Sequence, residues 1–346
     1  MSMILPDRCR KPGIRAINSV TKSGICIIIN ITGRGPAAPE QEKKTDRRNK
    51  AMIRYSLPDF TRHLRLNLMM VDFMRRSPEV FWDDIEISSL YGSFPGCIMN
   101  GGRIMQEVQE RYSYEQIAET FDAVSEKGLT TRLTLTNMLI RPEQYEDEYC
   151  RMILEAARGH DVEVIVNQDD LADYLSSRYH FRRILSTTRA LSGAEELNRM
   201  LDRYDLVVLD YNHNKDDAFL KQVSDPARLE VMPNELCRPG CQARQQHYLE
   251  VSRYQLTGQS DFKCPNAAYY EKGGFTGRTQ DSPTLLSNED IRRLNAEYGI
   301  SQFKIVGRLH SKELLLESYV YYLIRPEYRA VMAEIIRKKL RKQNRE

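Results

Sequence analysis

The feature that most constrains this chain is a regular alternation. Strand-like runs are interleaved with amphipathic helical ones from Met52 onward. The runs are Leu64 to Met69, Ile85 to Tyr91, Thr131 to Thr136, Val162 to Val166, Arg183 to Thr187, Leu206 to Asp210, Leu229 to Met232 and Phe303 to Val306. Between them lie stretches with apolar residues three and four apart. Ile117, Ala118, Phe121 and Val124 do this in 114–126, and Leu197, Met200 and Leu201 in 193–203. Alternation of this kind specifies a parallel α/β fold, because parallel strands need long helical crossovers. Eight repeats favour an α/β fold of the closed (β/α)8 TIM-like barrel type over the alternative, an open doubly wound sheet.

The rest of the chain divides around that body. Residues 1–51 carry eleven Lys and Arg against four Asp and Glu, a net +7, which leaves −4 for residues 52–346. They mix Pro, Gly and basic residues without sustained periodicity, so they are expected to be a dispensable extension, with 52–330 as the barrel domain. Residues 331–346 form a basic helix end, in which Arg337, Lys338, Lys339, Arg341 and Lys342 follow Val331, Ile335 and Ile336. That block reads either as a solvated helix end complementing the helix dipole or as a nucleic-acid contact. No run approaches the roughly 18 apolar residues that span a bilayer, so no membrane insertion is expected. Seven cysteines without a secretory leader suit a reducing compartment, and a cytoplasmic location is the expectation.

Four of those cysteines stand where thiolates could converge. Cys97 follows Gly-Ser-Phe-Pro-Gly, Cys237 and Cys241 enclose Arg-Pro-Gly, and Cys264 precedes Pro-Asn. Cys264 lies in a long insertion between strands seven and eight. Cys150, inside a helical pattern, reads as an apolar-face residue that should lie elsewhere. Four thiolates can hold a 4Fe-4S cluster or one zinc ion. Zinc ribbons use two tight knuckles and only one is present, so the cluster is the first expectation and zinc the alternative. Arg244 and His247, with Arg238 nearby, fall either beside such a centre or on a solvated helix face.

A barrel works at the C-terminal ends of its strands. The residues there are Asn67, Gly92 leading to Cys97, Asn137, Asn167, Thr188, Asn212 with His213, Asn234 with Glu235, and Gly307 with Arg308. Asparagine at a strand end commonly serves the turn itself. Together these residues describe a polar pocket, in which Arg308 is an anion-binding candidate through its guanidinium fork.

The run from Phe303 through Lys304, Gly307 and Arg308 to Glu313, with the helix bearing Tyr319, Tyr321 and Tyr322, resembles the end of the collagenase-like peptidase superfamily, unassigned peptidase family 32. Leu229 to Met232 followed by Leu236 and Cys237 resembles the same family's seventh strand. Cys97 after Leu90, Tyr91 and Gly92 resembles the early cysteine of its iron-sulfur members. The family pattern differs at Val306, where it has Glu, at Glu235, where it has a small residue, and in the three-residue gap between Cys237 and Cys241. The resemblance implies a barrel with a 4Fe-4S cluster held by Cys97, Cys237, Cys241 and Cys264. It implies oxygen-independent hydroxylation, or another modification, of RNA, a quinone or another small molecule, and a related superfamily protein as heteromeric partner. A peptidase and a non-catalytic assembly partner are the alternatives. Proteolysis needs an activated nucleophile or a metal-bound water, and no Ser-His-Asp pattern or His-Glu-x2-His is present.

Overall fold

The computed structural model describes residues 51–102, 110–267, 282–307 and 311–343. Eight parallel strands close on themselves in chain order, each pairing with the next, and β8 pairs with β1. They are β1 (Ile53–Pro58), β2 (Ile85–Gly92), β3 (Thr130–Leu135), β4 (Val162–Val166), β5 (Arg182–Leu185), β6 (Leu206–Val208), β7 (Leu229–Val231) and β8 (Gln302–Lys304). The helices between and after them are α1 (Leu64–Arg76), α2 (Tyr114–Ser125), α3 (Glu148–Ala156), α4 (Asp169–Tyr179), α5 (Ala194–Arg203), α6 (Asp217–Leu220), α7 (Arg244–Thr257), α8 (Asn288–Tyr298), α9 (Lys312–Leu323) and α10 (Arg329–Gln343). Helices α7 and α8 both lie in the connection between β7 and β8. Among the described residues no helix is long and apolar enough to cross a membrane. The extension expected over 1–51 lies, up to residue 50, outside the described residues.

One expected strand is a helix. Leu64, Leu66 and Leu68 alternate over a short run, but the pattern continues through Met70 and Val71, and the buried positions are Leu66, Asn67, Met70 and Val71. That is a helical stripe, and 64–76 is α1. The first strand is Ile53–Pro58, where Ile53, Tyr55 and Leu57 face the outer core and Ser56 between them stands beside Lys304 of β8.

Strand alternation divides the buried side chains into two cores. The outer one packs strands against helices and includes Leu57, Leu90, Leu133, Val164, Leu185 and Phe303, all nearly inaccessible. The inner one fills the barrel with Tyr91, Ile165, Ile184, Leu206, Val208, Tyr211, Met232 and Val306. Within the barrel, Arg132 of β3 donates to Glu163 of β4 at 2.6 Å and crosses to Glu230 of β7 at 2.5 Å. Burial opposes the guanidinium's charge, but the two carboxylates hold its pKa above the ordinary arginine value.

Candidate active site at the barrel mouth

Above that charged layer, the C-terminal ends of the strands enclose a cavity of about 40 Å³. Its walls carry Tyr91, Thr134, Ile165 and Lys304 from the strands, and Thr136, Ser186, Thr187, Thr188, Met232 and Glu235 from the segments just beyond them. Lys304 and Glu235 are both buried. The Lys304 ammonium sits over the Tyr91 ring, 4.1 Å from its centroid, and the Tyr91 hydroxyl donates to the Ile305 carbonyl. Glu235 accepts from the Cys237 amide at 3.0 Å. Thr134 donates to the Gly92 carbonyl, whereas the buried Thr136 hydroxyl has no hydrogen-bond partner. A space of this size admits a water or two, or the reacting group of a larger substrate.

Helix α7 is the roof. At its start Arg244 donates to Asp210 at 2.6 Å, to the Thr187 hydroxyl at 2.9 Å and to the Tyr248 hydroxyl at 3.1 Å. Its guanidinium lies 4.3 Å from the Tyr211 ring centroid. Near its end, Ser252 takes a hydrogen bond from the Met138 amide, and Gln255 donates to the Cys97 carbonyl. The helix thus runs from the ends of β5 and β6 across to the ends of β2 and β3. The loop after β2 comes so close beneath it that a Cβ on Gly101 would stand 2.4 Å from Asn137 Cα and 2.8 Å from Ser252 Oγ. Only glycine fits there.

The predicted asparagines hold this rim together. Asn137 donates to the Ile98 and Ser252 carbonyls and accepts from the Leu139 amide. Asn167 donates to Thr188. Asn212 accepts from the Gly240 amide while donating to Asp210. Asn234 joins the ends of β7 and β8, donating to the Val306 carbonyl and accepting from its amide. Asn67 is on α1, not at a strand end, and binds Pro58 and Tyr319 in the outer core. His213 stacks on Phe219 and contacts Asp216, so it serves its own loop. Of the residues predicted to bind substrate, Glu235 lines the cavity. Arg308 lies outside the described residues. Arg244 faces the mouth and His247 faces Phe262, so the two do not share one solvated face.

The cysteines fall into two groups. Cys150 is not elsewhere: its sulfur is 3.5 Å from that of Cys97, and both side chains are buried. The shared hydrogen bond lowers the pKa of Cys97 and raises that of Cys150. This pair lies under the far end of α7, whereas Cys241 immediately precedes the near end. The helix between Arg244 and Gln255 rises about 16 Å, so Cys97 is not brought to the other three. Cys237, Cys241 and Cys264 ride on segments that are tied together. Asn266 donates to Cys241 Sγ at 3.2 Å and accepts from Arg238, and the return segment contacts α7 through Ser260 with Glu250 and Phe262 with His247. Burial and the nearby Glu235 carboxylate push the Cys237 thiol up to about 11. Among the described residues no three His, Cys, Asp or Glu side chains are gathered closely enough to hold a metal. The four-thiolate set therefore does not fit this arrangement.

The residues missed from sequence were Tyr91, Thr134, Thr136, Ser186, Thr187, Met232, Tyr248 and Lys304. Lys304 had a usable signal, a cation between Phe303 and Ile305 in a strand-like run.

No protein-family model matches the chain, and no curated protein matches it. Among solved structures it is similar to the U32 peptidase Mk0906, at 13% identity and a TM-score of 0.46, covering 79% of this chain and 98% of that one. It is also similar to a protein from Burkholderia cenocepacia J2315 described as a lyase/mutase, at 13% identity and a TM-score of 0.31, covering 74% and 94%. At these values neither likeness carries a functional argument.

Proposed function

We propose that this chain is an enzyme that modifies the polar head of a substrate at the mouth of its barrel, with Lys304 and Glu235 as the charged groups facing the reacting atoms. One observation carries the reading: a buried cation, a buried carboxyl group and the unpartnered hydroxyl of Thr136 line one cavity at the catalytic end of the fold. The Lys304 ammonium suits a developing negative charge, and Glu235 suits proton transfer. A small anion is therefore expected to bind there. Calorimetric titration with malonate and with inorganic phosphate should show saturable binding that Lys304→Met weakens about tenfold or more. Failure of both anions to bind the wild-type protein, or equal binding by the variant, would count against the assignment.

A second reading keeps the iron-sulfur expectation, with oxygen-independent hydroxylation of RNA, a quinone or a small molecule as its chemistry. It is favoured by the ties among the segments bearing Cys237, Cys241 and Cys264 beside the mouth. These three are not gathered closely enough as they stand and would have to draw together to hold the cluster without Cys97; a cluster there would supply electron transfer. Protein purified without oxygen is then expected to contain iron and sulfide and to absorb visible light. Cys237→Ala, Cys241→Ala and Cys264→Ala should each bleach it, while Cys97→Ala should not. Iron-free, colourless protein from such a preparation would end this reading.

A further inference from the structure

Helix α1 and the basic C-terminal helix α10 form a second surface on the outside of the barrel. They line a groove of about 680 Å³. Its floor is Leu68, Met69 and Phe73 of α1, half-buried and packed on the outer core. Arg65 and Arg76 stand at the two ends of this same helical stripe, about 16 Å apart along the axis. Lys339 of α10 forms the opposite wall, its ammonium 4.3 Å from the Phe73 ring centroid. Among the described residues Asp72 is the one carboxylate in the lining, and Lys127 pairs with it at 2.7 Å.

This combination is specific in what it asks for. Desolvation, with the positive charge of Arg76 beside it, depresses the pKa of Lys339 below the ordinary lysine value even though the Asp72 carboxylate opposes the shift, so the groove keeps room for further negative charge. Two chemistries fit less well. Nucleic acid binds such sites by stacking bases on exposed aromatic rings, but the face of Phe73 is covered by Lys339 and the rest of the floor is aliphatic. The chain's own residues 1–51 carry +7, a charge that does not complement these cations.

We propose that the groove is the docking site for an acidic amphipathic helix of a partner protein. Its apolar side chains would cover Leu68, Met69 and Phe73, and its carboxylates would meet Arg65, Arg76 and Lys339. The test uses the full chain and a fluorescent 18-residue peptide, with leucine at i, i+3, i+4 and i+7 repeats and glutamate elsewhere. Anisotropy should report binding that weakens about tenfold in the double variant Arg65→Glu/Arg76→Glu, and similarly in Lys339→Glu. Leu68→Asp should also remove it, and circular dichroism will establish that each variant keeps the wild-type fold. Raising salt from about 0.1 M to about 0.5 M should weaken binding, as screening of exposed cations requires. No binding, binding unchanged by charge reversal, or tighter binding of an oligouridylate of equal length would each overturn the proposal.

Discussion

Replacing Arg132 by leucine is expected to destabilise the protein by about 3–5 kcal/mol, because removing one partner from a buried ion network leaves uncompensated charge. Glu163 and Glu230 would both lose their guanidinium inside the barrel. Glu163 keeps a contact with Arg182 at 2.9 Å, but Glu230 is fully buried and one of its oxygens already has no hydrogen-bond partner. The destabilisation should appear as a lower urea midpoint. A triple variant, Arg132→Leu/Glu163→Leu/Glu230→Leu, should recover most of the loss, since an apolar replacement carries no desolvation cost. A single substitution costing less than about 1 kcal/mol would show that the carboxylates are not held by Arg132.

The second large effect concerns the roof. Arg244→Leu should cost a similar 3–5 kcal/mol at the mouth, since Asp210 is buried and Arg244 is its charged partner in the ion pair. The loss should be local first. Amides of α7 near the Arg244 end should exchange with solvent faster, while those of β3 and β4 keep their protection. A double-mutant cycle with Asp210→Asn isolates the pair: the two substitutions together should cost clearly less than the sum of each alone. Additive costs would mean that Tyr211 and Tyr248, rather than the ion pair, hold the helix in place.

Much of this arrangement was legible in the sequence. Seven of the eight strands were located, and β4 was located to the residue, because short β-rich runs between strongly amphipathic helices leave few alternatives. The miss at Leu64–Met69 has a clear cause: three leucines at alternate positions satisfy the period of a strand over six residues, and only the continuation through Met70 and Val71 restores the helical period. The strand-end asparagines were found with both a turn-serving and a pocket-lining reading open, since a side chain that binds a carbonyl across the rim looks identical in sequence to one that binds substrate. The division of the cysteines was illegible for another reason. Cys97 and Cys150 are neighbours through a helix packed on a loop, and nothing local to either residue encodes that contact. Single charges within apolar strands, such as Arg132, Glu163, Glu230 and Lys304, are readable in the sequence. A charge at an inward position of a short strand marks the inside of a barrel.

The seam between β1 and β8 has a consequence in time. It joins the first described strand to the last through three paired positions, Arg54 with Gln302, Tyr55 with Phe303 and Ser56 with Lys304. On a ribosome, β2 is available to β1 early, but β8 emerges only after every other strand has been made. Contacts so distant along the chain form late and slow the overall reaction, and an unpaired strand edge meanwhile invites the wrong neighbour. The strand that opens the barrel therefore stays half-partnered for most of the protein's synthesis.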